Sequence, residues 1–254
     1  MCCCRSWPAY TPLALRAKVS RSRSRKKIVW FGHTCFRLEI GGSVVLIDPF
    51  LKGNPTFEAS GIAWDEATKD VTHVALTHGH SDHVGDAGEI CSKRGATLFA
   101  NFELAMFVKS KGAEKLEPMN TGGTVGAADF DITLVNALHS SSQDVYLGNP
   151  NGLIVRPKEG KTLYHMGDTD MFAGMALIAE FHRPQIGIVP IGDRFTMGAR
   201  SAAFTCKKFF QFEMILPCHY GTFPGLLDPD ADKFVAEMKD HNVIVPKVGQ
   251  TVTV

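Results

Sequence analysis

Residues Thr77 to Gly85 read THGHSDHVG, which places His78, His80, Asp82 and His83 within six positions directly after the apolar run Val74-Ala75-Leu76. Neutral imidazole and carboxylate suit a borderline divalent ion such as zinc, and they also serve manganese or iron. Four such side chains in this order constrain the fold more than any other stretch. In an extended segment, residues two apart point to the same face, so His78 and His80 can grip one ion. Asp82 and His83, past the small Ser81, can turn towards a second. Two ions need more donors than one peptide supplies, and further His or Asp residues are expected downstream at strand ends.

Three residues answer that expectation. His139 closes the alternating stretch Phe130 to Leu138, which has strand periodicity. Asp168 follows Thr162-Leu163-Tyr164 within His165-Met166-Gly167-Asp168-Thr169, and His219 follows Met214-Ile215-Leu216-Pro217-Cys218. Each lies where an apolar run meets a loop, the position at which open α/β architectures keep their chemistry. His73, His165, His182 and His241 have no comparable spacing and read as hydrogen-bonded structural residues.

On these motifs the chain resembles the metallo-β-lactamase superfamily, matching in order Asp48, the HxHxDH run, His139, Asp168 and His219. The resemblance implies a four-layer α/β fold, the αββα sandwich, with metals in a cleft along one edge. It also implies that His78, His80 and His139 hold a first metal, that Asp82, His83 and His219 hold a second, and that Asp168 bridges them. Asp48, in Leu46-Ile47-Asp48-Pro49, would support the donors by hydrogen bonding, since metal-bound imidazoles usually donate their other N–H to a carboxylate or carbonyl. The stretches Trp30 to His33, Asp48 to Pro55, His139 to Ser142, Pro190 to Gly198 and His219 to Pro224 are similar to a family of metal-dependent hydrolases related to the ascorbate-6-phosphate lactonases. That narrower resemblance spans nearly everything from Ile28 to Val254. Many chemistries share this scaffold, so the resemblance does not name the molecule that is cut.

The implied activity is hydrolysis of an ester, lactone or related bond in a small substrate. Two divalent ions, zinc first and manganese or iron as alternatives, would hold the attacking hydroxide and the developing oxyanion. Asp82 is the candidate for orienting the water or accepting its proton. His33, in Phe31-Gly32-His33-Thr34, is the candidate for donating a proton to substrate or leaving group, or else it closes a strand turn. Arg194, Thr196 and Arg200 flank Gly192 and Gly198 ahead of a helix and could meet an anionic group. Tyr220, Thr222 and Phe57 are candidate pocket residues. A phosphodiesterase or nuclease, and a non-catalytic metal-binding protein, are the alternatives. Oxygen-reducing di-iron relatives place a glutamate between the first two histidines, where this chain has Gly79. Retention of all seven donors favours an enzyme.

Composition bounds the rest. At 254 residues and 44% hydrophobic, the chain can bury one substantial core, and residues 28–254 are expected to form a single domain. No uninterrupted apolar stretch reaches the roughly eighteen residues of a membrane span. Cys35, Cys91, Cys206 and Cys218 lack the spacing of a disulfide framework, so reduced thiols and a cytoplasmic location are expected. Residues 1–27 hold eight basic side chains and no acidic one, and the remaining 19 Lys and Arg against 26 Asp and Glu leave residues 28–254 with a formal charge of −7. An acidic domain is poorly suited to a nucleic-acid backbone, which favours a small-molecule partner. A homo-oligomer is compatible with this. The basic arm reads as disordered, with a transit peptide, lipidation of Cys2, Cys3 and Cys4, or too early an assigned start as alternatives.

Periodicity predicts strands over 28–32, 35–40 and 44–47 with a hairpin turn at Gly41-Gly42, and another strand over 97–100. It predicts helices over 84–93, 102–111 (ending at Gly112), 171–181, 199–210 and 229–241, and an extended 186–190.

Overall fold

The computed structural model describes residues 26–254. Expectations for the arm before Lys26, including the three clustered cysteines, lie outside the described residues. Strand β1 (Lys27–Trp30) runs antiparallel to β2 (Phe36–Ile40), and β2 runs antiparallel to β3 (Ser43–Ile47). Lys27, placed in the arm by the sequence, pairs with both Glu39 and Thr253 in this sheet. Ile40 faces Ser43 across the two glycines, and Gly41 adopts φ +60°, a turn conformation that only glycine adopts without strain. β4 (His73–Ala75), β5 (Thr97–Asn101) and β6 (Lys115–Met119) then add in parallel, and β13 (Thr251–Thr253) closes the other edge against β1. The first sheet therefore has the order β13-β1-β2-β3-β4-β5-β6.

The second sheet has the order β12-β11-β10-β9-β8-β7. Its strands are β7 (Thr124–Gly126), β8 (Phe130–Asn136), β9 (Asn151–Pro157), β10 (Leu163–His165), β11 (Ile186–Pro190) and β12 (Met214–Cys218). β7 to β10 are antiparallel and β10 to β12 parallel, so β8 points the same way as β10, β11 and β12. The sheets meet through one apolar cluster, with Phe36, Leu38, Val45 and Ile47 from the first and Ile132, Leu134, Leu153 and Val155 from the second, all essentially without solvent exposure.

Helices cover the outer faces. α4 (Ala87–Arg94) and α5 (Phe102–Lys109) bury Ile90, Leu104 and Val108 against Leu46, Val74 and Leu98 of the first sheet. α6 (Met175–His182), α7 (Ala199–Phe209) and α8 (Asp232–Glu237) contribute Ile178, Ala202 and Phe234 to the cluster on the second. Three one-turn helices, α1 (Pro55–Glu58), α2 (Trp64–Ala67) and α3 (Ser81–Val84), occupy connections. The four layers α/β/β/α are the expected sandwich.

Several boundaries differ from the periodicity. The helix predicted over 84–93 is split into α3 and α4 at Gly85, where φ is +40° and a Cβ would lie 2.5 Å from the carbonyl oxygen of Pro49. α6 starts at Met175, not 171, because Asp170 N–H is drawn to the Leu138 carbonyl. α8 is half the predicted 229–241, since the Asp228 backbone bonds both Gly192 and Gly221 and holds the chain out of helix. β6, β7, β9 and β13 are strands that periodicity does not mark.

Candidate metal centre

Topology brings the candidate residues to one edge. β1, β3 and β4 point the same way in the first sheet, and so do β8, β10 and β12 in the second. The loops that leave those six strands carry His33, Asp48, the Thr77–His83 run, His139, Asp168 and His219. Three of these residues lie in the left-handed backbone region, His33 at φ +52°, Asp48 at +43° and His219 at +58°. Asp and His enter that region more readily than most residues, yet at a cost of roughly 1–3 kcal/mol each. Gly79 is required between the first two histidines, because a Cβ there would stand 2.5 Å from Cβ of Leu147.

The ring nitrogens divide into those already bonded and those that converge. His83 Nδ1 donates to Asp48 Oδ2 at 2.8 Å, and Thr77 donates to the same carboxylate through N–H at 2.8 Å and Oγ1 at 2.6 Å. His78 Nδ1 lies 3.0 Å from Thr77 Oγ1, and His80 Nε2 lies 3.1 Å from Ser140 Oγ. The opposite nitrogens face inward. His78 Nε2 and His80 Nδ1 are 3.0 Å apart, close to the roughly 3.3 Å between two nitrogens that share a tetrahedral zinc. One set of donor atoms within 4.8 Å of one another comes from His78, His80 and His139, a second from His78, His83 and Asp168, and a third from His33, Asp82, His83 and His219. Asp168 Oδ2 stands 2.9 Å from His219 Nε2, 3.3 Å from His83 Nε2 and 3.6 Å from His139 Nε2.

Two buried atoms of the converging groups, His83 Nε2 and Asp168 Oδ1, have no hydrogen-bond partner, whereas the unpartnered His219 Nδ1 lies on the ring edge away from the Nε2 that meets Asp168. Unpaired buried polar atoms are costly, and a cation between them is the natural completion. The donor set and these orphaned atoms fit divalent metal.

Electrostatics point the same way. Burial holds the His78 imidazole well below its ordinary pKa, and it also lowers those of His80 and His139. These rings are therefore neutral, as metal donors must be. Burial opposes charge on His83, but Asp168, Asp48 and Asp82 outweigh it and hold the ring protonated in the metal-free chain. For Asp168 and Asp82, burial favours the neutral acid. The histidines around them win, and both carboxyls lie well below the usual range.

Other candidates sit differently. His33, expected to meet substrate, is fully buried, with Nδ1 3.0 Å from Thr222 Oγ1 and Nε2 3.0 Å from Asp82 Oδ2. Tyr220 departs from the expected substrate contact: its ring is buried in the inter-sheet core and stacks on Trp30 at 5.3 Å. Phe57 is buried too, edge-on to Phe31. Arg194 is exposed, Thr196 half-buried with its hydroxyl on the Met197 carbonyl. Arg200 lines a separate depression of about 650 Å³ with Asp193, Phe204, Asp228 and Lys233. His165 is structural, as its lack of motif spacing implies, and it ties the site loops together: Nε2 donates to the Thr34 carbonyl at 3.1 Å and Nδ1 accepts from Gly167 N–H at 3.1 Å. No spacing in the sequence singles it out.

Fold and site together define a metal-dependent hydrolase on the metallo-β-lactamase sandwich. Residues 27–219 match the beta-lactamase superfamily domain, and the chain belongs to that family. It is 54% identical over 230 residues to a UPF0173 metal-dependent hydrolase of Methylocella silvestris, covering 88% of this chain and 97% of the relative. It is 57% identical over 221 residues to a UPF0173 metal-dependent hydrolase of Brucella abortus, covering 85% and 92%. Among solved structures it is similar to Igni18, a metallo hydrolase from Ignicoccus hospitalis, with TM-score 0.81 and 33% identity over 91% of this chain and 99% of the other. No helix among the described residues is long and apolar enough to cross a membrane.

Proposed function

We propose that this hydrolase holds two divalent ions, zinc foremost, and cleaves an ester, lactone or related bond in a small substrate. His78, His80 and His139 would hold one ion, Asp82, His83 and His219 the other, with Asp168 shared. The observation that carries the reading is the convergence of these side chains around two buried atoms that have no partner, His83 Nε2 and Asp168 Oδ1. One tetrahedral ion takes four protein donors at most, so seven favour a pair. When bound, such a pair supplies an acidified water and positive charge against the developing negative oxygen.

The chain's own residues give direction to that chemistry. His78, His83, Asp168 and His219 are buried, whereas His80, Asp82 and His139 are partly exposed. Substrate therefore approaches over the latter three. Asp82 Oδ2 is taken by His33, which leaves Oδ1 to face an ion or take up a proton. Asp48 fixes the ring of His83, and Ser140 that of His80. Arg194 and Thr196, before α7, are the candidates for an anionic substrate group. We further place the activity in residues 28–254 and in the cytoplasm.

Elemental analysis and a substrate panel test the reading together. Two ions per chain are expected, with turnover of a carboxylic ester or lactone that is lost in His78→Ala and in His219→Ala. One tightly held ion, unaffected by His219→Ala, would remove the second position. Turnover of phosphodiesters alone would move the reading to the nuclease-type alternative.

A further inference from the structure

Among the rings at the centre, His33 is set apart by what its nitrogens meet, a carboxylate on one side and a hydroxyl on the other. Its imidazole lies in the third set of donor atoms beside Asp82, His83 and His219. Proximity alone would make it one more ligand. Hydrogen bonding argues otherwise. A carboxylate oxygen accepts and the imidazole N–H donates, so His33 Nε2 donates to Asp82 Oδ2 at 3.0 Å. Nδ1 is engaged by Thr222 Oγ1 at 3.0 Å. With both nitrogens committed, His33 has no lone pair to offer an ion, in contrast to the unpartnered Nε2 of His83.

We infer that His33, backed by Thr222, is a positioning residue that fixes the Asp82 carboxylate and through it the second metal position. The His33 ring is fully buried and tilted over His219 at 4.2 Å between centroids. Phe223 at 5.5 Å and Phe50 at 6.0 Å meet it edge-on. Such a ring cannot swing, and its hydrogen bond to Asp82 is shielded from water on the His33 side. The main chain adds a second link, because the His33 carbonyl accepts from both His219 N–H at 3.1 Å and Trp30 Nε1–H at 2.9 Å. One residue of the β1–β2 turn thus holds two donors of the second position, Asp82 through its side chain and His219 through its backbone. Nothing comparable joins it to His80 or His139, so its effect should be confined to one ion. The inference rests on the two-ion reading above.

The test is calorimetric titration of metal-stripped chain with zinc, with the two binding steps resolved. His33→Leu removes the donor at similar volume, His33→Gln restores an N–H at the Nε2 position, and Thr222→Val removes the supporting hydroxyl. In His33→Leu one of the two steps is expected to lose affinity by about 10–100-fold, the range for losing a partner behind a metal ligand, while the other step stays unchanged. His33→Gln should recover most of that loss, and Thr222→Val should fall between wild type and His33→Leu. Equal loss in His33→Leu and His33→Gln would show that packing, not the donated hydrogen bond, is what matters and would overturn the inference. So would equal weakening of both steps, or wild-type affinities in Thr222→Val, the variant that decides the matter if His33→Leu does not fold. A wild-type chain that takes up one zinc only would sink the two-ion reading itself, and that result is seen before any substitution is made.

Discussion

His83 Nδ1 and Asp48 Oδ2 lie 2.8 Å apart, and neither side chain is exposed to solvent. Asp48 is anchored by the two bonds from Thr77, so it sets the direction of the His83 ring before any ion arrives. Asp48→Asn keeps the size and one acceptor oxygen but turns an amide N–H₂ towards a group that donates. Zinc affinity is expected to fall by about 10–100-fold and stability by roughly 1–3 kcal/mol. Zinc titration and urea denaturation measure the two. An Asn variant with wild-type affinity would show that His83 is held by something else.

The donors were legible because four of them are crowded into one peptide and the others each end an apolar run. Those signals are local. What was hidden depends on pairing across the chain: Thr222 is 189 residues from the ring it supports, and His165 from β10 meets Thr34 across 131. β13 has only three residues and exists because β1 offers it an edge. Tyr220 looked available because it follows His219, yet the turn at His219 sends its ring onto Trp30.

A steric prediction concerns Gly192, which the sequence offered only as part of a loop. A Cβ at this position would fall 1.9 Å from the His219 carbonyl oxygen and 3.0 Å from its Nδ1. Backbone cannot yield as a flexible side chain does. Gly192→Ala should cost at least about 2–3 kcal/mol and weaken the His219 contribution to metal binding. Gly42→Ala is the control: its Cβ would meet only Asp129, at 3.7 Å, and a change of no more than about 0.5 kcal/mol is expected. Equal stability of the two variants in urea would contradict the prediction.

The metal-free chain should be most stable near pH 6.5. Burial pushes down the imidazoles of His33, His78 and His165, that of His33 to about 4. Folded pKa values below the unfolded one mean that the unfolded chain takes up protons first, so these contributions are full above about 6.5 and are lost as pH falls. His83 has the opposite sign. Its raised pKa gives stability that is full below about 6.5 and is lost as pH climbs through the folded value. His73, His80, His139 and His182 are lowered by burial as well, so the rings that lose stability towards acid outnumber His83 and make the acid side the steeper. Asp82 and Asp168, held low, add a further loss only below about 3.9. Urea midpoints of chelator-treated protein between pH 4 and 9 test this, and a curve that rises steadily towards acid would show the signs to be wrong.

Turnover and substrate binding should separate between two side chains. Asp82 is partly exposed at the open face and bonded to His33, whereas Arg194 stands on the loop before α7, exposed and without an ion-pair partner among the described residues. If Asp82 handles the reacting proton and its ion, Asp82→Asn removes an interaction that strengthens as the bond breaks. The turnover number should then drop by about 100-fold or more with KM within roughly threefold. Arg194→Ala should do the reverse on an anionic ester or lactone, raising KM by about tenfold at a nearly unchanged turnover number, because an ion contact made equally in ground and transition states is uniform binding. Neutral analogues of the same substrate supply the discriminating measurement. The Arg194→Ala penalty should vanish with them while the Asp82→Asn penalty persists. A penalty in Arg194→Ala that is the same for neutral and anionic substrates would mean that the guanidinium shapes the loop and reads no charge.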